Sequence, residues 1–138
     1  MPVIRRGGAG DLAAVAAIQD ACPEAAHWKV TDYLDHDFLV ATVGDATVGF
    51  AIFRDTGPGE REILNLAVAP DFRRQGVARE LVDAVFEGFA GCVFLEVRES
   101  NQIAREFYNS MGFQVLSRRQ NYYDSPPEAA IVMKFHSC

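Results

Sequence analysis

No stretch of 18 apolar residues interrupts this 138-residue chain, and no charged start leads into an apolar segment. Neither membrane insertion nor export is therefore expected, and a cytoplasmic location follows. Cysteine is scarce: Cys22, Cys92 and Cys138 form no C-x-x-C spacing. Their odd number suits free thiols better than a disulfide framework, and Cys22 and Cys92 are read as packing. The histidines, His27, His36 and His136, have no H-E-x-x-H or other ligand spacing, so no metal site is expected. Positive charge is also short, with 13 Lys and Arg against 19 Asp and Glu, a net charge of -6. Basic residues are scattered apart from pairs such as Arg5-Arg6 and Arg118-Arg119, which argues against direct binding to bare nucleic acid. An acidic surface would instead draw a basic peptide or polyamine. Glu60, Glu62, Asp32 and Asp35 are candidates for such a groove, although acidic residues more often just solubilise a surface. Repeats and low-complexity tracts are missing.

What is present suits one globular α/β domain over 1–138, at 49% hydrophobic and 23% charged composition. Patterning predicts a strand near 2–6, a helix over 11–22 with Asp11 as N-cap, and a helical turn near 30–36. Strands follow at 38–43, 47–53 and 60–68, an antiparallel run turned by Gly44-Asp45 and Thr56-Gly57-Pro58-Gly59. Then come a helix over 77–89, a strand over 93–97, a helix over 101–111, and strands near 113–119 and 129–135. Asp124-Ser125-Pro126-Pro127 reads as a loop.

The most informative stretch is Arg73-Arg74-Gln75-Gly76-Val77-Ala78, between the apolar run Ile63–Val68 and an amphipathic helix. Strand, short loop and helix N-terminus free several backbone N–H groups and make an anion site, so a phosphate-bearing ligand is expected. Ala78, Leu81, Val82, Val85, Phe86 and Phe89 form that helix's apolar stripe. A P-loop would need Lys and Ser or Thr where Val77 and Ala78 stand. Gly8-Ala9-Gly10-Asp11-Leu12-Ala13 formally matches a dinucleotide fingerprint. Its context is wrong, because Arg5 and Arg6 occupy the place of a buried strand end.

Val93–Val97 after that helix makes a strand, helix, strand crossover with parallel strands. A carboxylate inside such a strand, Glu96, is costly unless it is paired, solvated or useful. On its own it reads as salt-bridged or rim-exposed, with Arg98 on the same face. Next, Ser100 is the expected N-cap of a helix whose Ile103, Ala104, Phe107, Tyr108 and Met111 share a face, and Gly112 is its stop. Tyr108 alone reads as a core aromatic.

Val68-x-Pro70-x-x-Arg73-x-x-Gly76-x-Ala78 resembles the acyl-CoA loop of the GNAT superfamily of N-acetyltransferases. Leu95-Glu96-Val97-Arg98, Asn101, Phe107-Tyr108, Met111-Gly112-Phe113, Arg119-Gln120-Asn121-Tyr122-Tyr123 and Ala130–Met133 extend the likeness over about 61–135. Together they resemble the bacterial ribosomal-protein-alanine N-acetyltransferases. The resemblance implies a mixed, mostly antiparallel sheet splayed between the fourth and fifth strands, with helices on both faces and acetyl-CoA in the split. It implies a CoA site drawn from Arg73, Arg74, Gln75, Gly76, Val77, Ala78 and Arg79, whose pyrophosphate is held by the amides of 74–79. Leu66, Ala67 and Val68 would line the acetyl and pantetheine arm, Asn101 would touch pantetheine, Glu96 would be general base and Tyr108 general acid.

An α-amine, with a pKa of about 7.7 to 8.0, is roughly one-tenth neutral at pH 7, whereas a lysine near 10.4 is neutral about once in 2,500. Glu96, directly or through water, can take the amine proton as nitrogen attacks the thioester. The Val68 N–H would hold the oxyanion, and Tyr108 would protonate the departing thiolate. The acceptor implied is a basic protein N-terminus, such as that of a ribosomal protein. A small amine or amino acid is the alternative, because Ala25-Ala26-His27-Trp28-Lys29 departs from the family's Phe-Pro-Trp-Ser-like element and keeps only the Trp. Trp28 and Tyr33 are candidates to line the acceptor site there, although aromatic packing is the commoner role for each. A non-catalytic acetyl-CoA-binding module is the third reading, against which the presence of both Glu96 and Tyr108 argues.

Overall fold

Apolar runs at Phe38–Ala41, Phe50–Phe53 and Ile63–Val68 lie in β2 (Asp37–Val43), β3 (Ala46–Gly57) and β4 (Glu60–Val68), which follow β1 (Val3–Arg6). The computed structural model describes residues 2–23, 28–124 and 127–137. The remaining elements are α1 (Leu12–Asp20), α2 (Val77–Phe86), β5 (Gly91–Arg98), α3 (Gln102–Ser110), β6 (Gln114–Asp124) and β7 (Pro127–Ser137). The strands form a seven-stranded mixed sheet in the order β1-β2-β3-β4-β5-β7-β6. Two compact units divide the chain, Met1–Arg54 with Leu64–Gly88 and Asp55–Ile63 with Phe89–Cys138.

In the first unit β1 pairs antiparallel with β2 and β2 with β3. A dinucleotide βαβ unit needs parallel strands, so the chain around Gly8 and Gly10 is a turn into α1. Val15, Ile18, Tyr33, Phe38, Val40, Phe50, Ile52 and Ala67 form the core cluster. The α2 stripe buries Val77, Leu81, Val82 and Val85, each contributing roughly 1.5–3 kcal/mol on transfer from water. Gly49 lets α2 approach β3. A Cβ there would lie 3.1 Å from the Ala67 carbonyl oxygen and 3.2 Å from a Val77 methyl.

Two boundaries move inward. α1 ends at Asp20 and α2 at Phe86, where Glu87 turns to an extended ψ of 122°. Phe89 therefore lies outside the helix. Asp11 sits at the N-cap position but makes no cap bond to α1. Its carboxylate turns back to accept the Gly8 N–H at 2.9 Å and both Arg5 guanidinium nitrogens at 2.8 and 2.9 Å. A bidentate cation outcompetes a single helix amide for the same oxygens.

In the second unit, residues Glu60 to Ile63 of β4 run parallel to Cys92 to Leu95 of β5, while β5 with β7 and β6 with β7 are antiparallel. The parallel register is only four residues long, and β5 runs on through Glu96 to Arg98. Val93, Leu95, Tyr108, Phe113, Ile131 and Met133 are buried. The β6 and β7 strands extend beyond 113–119 and 129–135, reaching Asp124 and back from Pro127. Of the loop expected at 124–127, Asp124 and Pro127 belong to strands, and Ser125 and Pro126 lie outside the described residues. Ile103, expected on the packed face of α3, is 80% exposed. The helix starts one residue later than Ser100 would allow. Its N-cap is Asn101, whose Oδ1 accepts the Ala104 N–H at 3.2 Å, while the Ser100 N–H goes to Glu128 Oε2 at 2.5 Å. No described helix is long and apolar enough to cross a membrane.

Candidate active site

The loop between β4 and α2 belongs to the first unit, and its shape comes from two left-handed residues, Arg74 at φ 64° and Gly76 at φ 82°. Alternating left-handed conformations turn successive N–H groups toward one side, which is the geometry of an anion nest. Gly76 is the N-cap of α2, and the first helical bond runs from Glu80 N–H to the Gly76 carbonyl at 3.0 Å. The N–H groups of Val77, Ala78 and Arg79 consequently have no acceptor within the helix. A Cβ at Gly76 would meet nothing within 4 Å. Glycine is needed here for its backbone angle, and the space above it is open. These features fit the pyrophosphate of CoA, with positive dipole and free donors facing an anion.

Side chains in this loop serve the fold. Arg73 turns back, donating from Nε to the Val68 carbonyl at 3.3 Å and from Nη2 to Cys22 Sγ at 3.2 Å. Cys22 is buried and its thiol donates to the same carbonyl at 3.5 Å. Gln75 Nε2 donates to the Asp71 carbonyl at 3.3 Å. Arg74 and Arg79 are exposed, with their charges available to phosphate.

Leu66, Ala67 and Val68 lie at the C-terminal end of β4. The Leu66 N–H is taken by its neighbour, Asn65 Oδ1, at 3.0 Å. Asn65 Nδ2 donates to the Tyr33 hydroxyl oxygen at 2.9 Å, Tyr33 donates to Gln19 Oε1, and Gln19 Nε2 donates to the Trp28 carbonyl at 2.8 Å. The trio is buried and hydrogen-bonded throughout. Sequence reading had no signal for this network, because its members lie on α1, a helical turn and β4. Tyr33 is part of the core, with its ring 5.8 Å from Phe50 and 6.3 Å from Trp28. The departure at 25–27 lies outside the described residues.

The second unit carries Glu96, Asn101 and Tyr108. Glu96 is paired, but with Arg119 of β6, whose Nη1 donates to Oε1 at 2.7 Å. Arg98, the partner expected two residues along, pairs with Glu128 at 3.3 Å. Tyr122 completes the arrangement, with the Arg119 guanidinium 4.2 Å from its ring centre. The Tyr122 hydroxyl is pushed up in pKa by burial, then by the charge of Glu96 and by the hydrogen bond to it. Arg119 and Tyr122 were legible only as part of a resemblance and not as partners of Glu96, since 23 residues separate Arg119 from it in sequence.

Tyr108 is buried on α3, its ring edge-on to Phe107 at 5.2 Å and Phe113 at 5.5 Å. Desolvation alone raises its pKa well above the ordinary tyrosine value, so the hydroxyl keeps its proton at any physiological pH. Asn101 spends Oδ1 on capping α3 and keeps its amide nitrogen for other contacts. Among the described residues no group of three or more His, Cys, Asp or Glu is arranged to hold a metal.

A loop with two left-handed residues that leads into a helix N-terminus with unspent main-chain N–H groups has the form of an anion-binding site. Residues 12–113 match the acetyltransferase (GNAT) family. The chain is 37% identical over 105 residues, 71% of its length and 72% of the relative's, to the [ribosomal protein bS18]-alanine N-acetyltransferase of Haemophilus ducreyi. It is 33% identical over 109 residues, 75% of its length and 68% of the relative's, to the N-alpha-acetyltransferase RimI of Mycobacterium tuberculosis. The crystal structure of the ribosomal-protein-S18-alanine N-acetyltransferase from Escherichia coli superposes with a TM-score of 0.82 at 30% identity, covering 98% of this chain and 93% of that one. This chain belongs to the GNAT acetyltransferase family and is an acetyl-CoA-dependent N-acetyltransferase.

Proposed function

We propose that residues 1–138 form one cytoplasmic domain that acetylates the N-terminal α-amine of a protein, with a basic N-terminal segment such as that of a ribosomal protein as acceptor. The observation that carries this reading is the 37% identity to an enzyme named for alanine acetylation of ribosomal protein bS18. The N–H groups of 74–79 hold the CoA pyrophosphate, Arg74 and Arg79 add charge, and Leu66, Ala67 and Val68 line the acyl arm. When bound, acetyl-CoA supplies the thioester carbonyl that the amine attacks. Glu96 accepts the amine's proton. The Val68 N–H donates to the carbonyl oxygen as charge develops there, and Tyr108 gives its proton to the sulfur. The always-protonated state of Tyr108 supports that last role, because an acid must be loaded before it acts. Asn101 offers its amide nitrogen to the pantetheine chain.

Incubation with acetyl-CoA and a peptide beginning with Ala should release free CoA and add acetyl to the first nitrogen, read by mass spectrometry. Equal turnover of a peptide blocked at its N-terminus, or acetylation of free amines in preference to peptides, would overturn this acceptor.

A further inference from the structure

Glu96 sits in a closed triangle of side chains. Arg119 donates to its Oε1 at 2.7 Å, the Tyr122 hydroxyl hydrogen-bonds to it, and the Arg119 guanidinium rests 4.2 Å from the centre of the Tyr122 ring. Each member touches the other two. The Glu96 side chain is 18% exposed and that of Arg119 53%. An exposed ion pair usually contributes little because both chains keep their freedom. Here the guanidinium has a second anchor in the aromatic face, which fixes it over the carboxylate.

Few other charges act on this group. Glu62 of β4 lies in register with Phe94, two residues before Glu96 on the same face of β5, and its charge reaches both Arg119 and Tyr122. Lys134 of β7 is drawn to the Phe94 ring at 5.8 Å, and Arg98 is held by Glu128. Among the described residues, Arg119 is the cation that pairs with Glu96.

We propose that Arg119, seated on Tyr122, is a positioning residue that fixes the Glu96 carboxylate and offsets its charge, so that its remaining acceptor capacity receives a neutral amine instead of trapping an ammonium. This rests on the reading of Glu96 as base. A carboxylate without a counter-cation binds R-NH3+ strongly, and an ammonium has no lone pair with which to attack. Balancing the charge weakens that unproductive complex and leaves a hydrogen-bond acceptor for the neutral form. The same balance favours α-amines over lysine side chains, since roughly one-tenth of the former and about 1 in 2,500 of the latter is neutral at pH 7.

The test compares the native enzyme with Arg119→Gln and Arg119→Lys. Binding of an Ala-starting peptide and of its des-amino counterpart is measured in the presence of CoA at about pH 6.5, where most of the α-amine is protonated. Arg119→Gln should tighten the amino peptide about tenfold relative to the des-amino one and lower kcat about tenfold, the loss of one well-placed contact. The KM for acetyl-CoA, which also reports folding, should not move, and Arg119→Lys should restore most of kcat. Equal changes for both peptides, or an unchanged kcat, would overturn the proposal. Undiminished turnover in Glu96→Gln would instead overturn the assignment of the base, a result that the peptide pair in the Arg119 variants does not depend on.

Discussion

In the loop between β4 and α2 the groups offered to a ligand belong to the main chain, and the side chains hold that main chain in place. Arg73 is spent on Val68 and Cys22, and Gly76 contributes a backbone angle and no side chain. On β5 and β6 the roles reverse. The β5–β7 ladder is continuous while β6 shifts register between Arg119 and Tyr123, and the candidate groups are side chains, Glu96, Arg119 and Tyr122, joined by an ion pair and a cation–ring contact. Main-chain donors suit a ligand common to a whole family, because they depend on conformation more than on residue identity. Side-chain groups suit the step that differs with the acceptor, because each can be exchanged without disturbing the strand.

That contrast can be broken at four points. Glu96→Gln removes the proposed base and leaves the loop untouched, so kcat with an Ala-starting peptide should fall about 10²- to 10⁴-fold while the KM for acetyl-CoA stays constant in steady-state assays. A comparable rise in that KM would show that the two regions are not functionally separable.

Tyr108→Phe should cost less, about tenfold in kcat, because a thiol with a pKa near 8.5 leaves readily without full protonation. Its hydroxyl is raised in pKa by burial alone. The rate of the native enzyme should therefore show no alkaline loss through Tyr108 up to at least about pH 10, and a Tyr108-dependent limb near pH 9 in a pH–rate profile would contradict this.

Gly76→Val attacks the loop through its angle. A β-branched residue at φ 82° is strained, by roughly 1–2 kcal/mol. Acetyl-CoA KM should rise about tenfold, equivalent to ~1.4 kcal/mol, with a smaller change in kcat. The opposite split would move the loop's role from binding to chemistry.

The smallest effect is expected at Asp11, whose carboxyl is held below its usual range chiefly by Arg5. A folded-state pKa below the unfolded one adds stability that is present above the unfolded value and lost as pH falls through the folded value. Asp11→Asn should then lower stability by up to about 1 kcal/mol at pH 7. That difference should shrink in thermal melts once pH falls below the ordinary carboxylate value of about 3.9 and vanish after it has passed the lowered native value.

The loop was readable from the chain because a motif spelled by Pro70, Arg73, Gly76 and Ala78 is local, and a local motif dictates a local backbone shape. The parallel pairing of β4 with β5 was readable for a related reason: a helix between two strands leaves them running the same way. Errors came where local preference met a distant competitor. Asp11 was taken from its cap by Arg5, Ser100 gave up its cap to Asn101 because Glu128 engages its hydroxyl as well as its N–H, and Arg119 displaced Arg98 as the partner of Glu96.

By itself, the order of residues determined the succession of elements, the tight turn from β4 into α2 and the presence of a carboxylate on the fifth strand, all consequences of neighbours within a dozen positions. Only the tertiary structure decided that Gln19, Tyr33 and Asn65 lock the end of β4, and that Arg119 and Tyr122 enclose Glu96. Hydrogen bonds and charge pairs between side chains depend on separation in space, and strand register sets that separation without regard to distance along the chain.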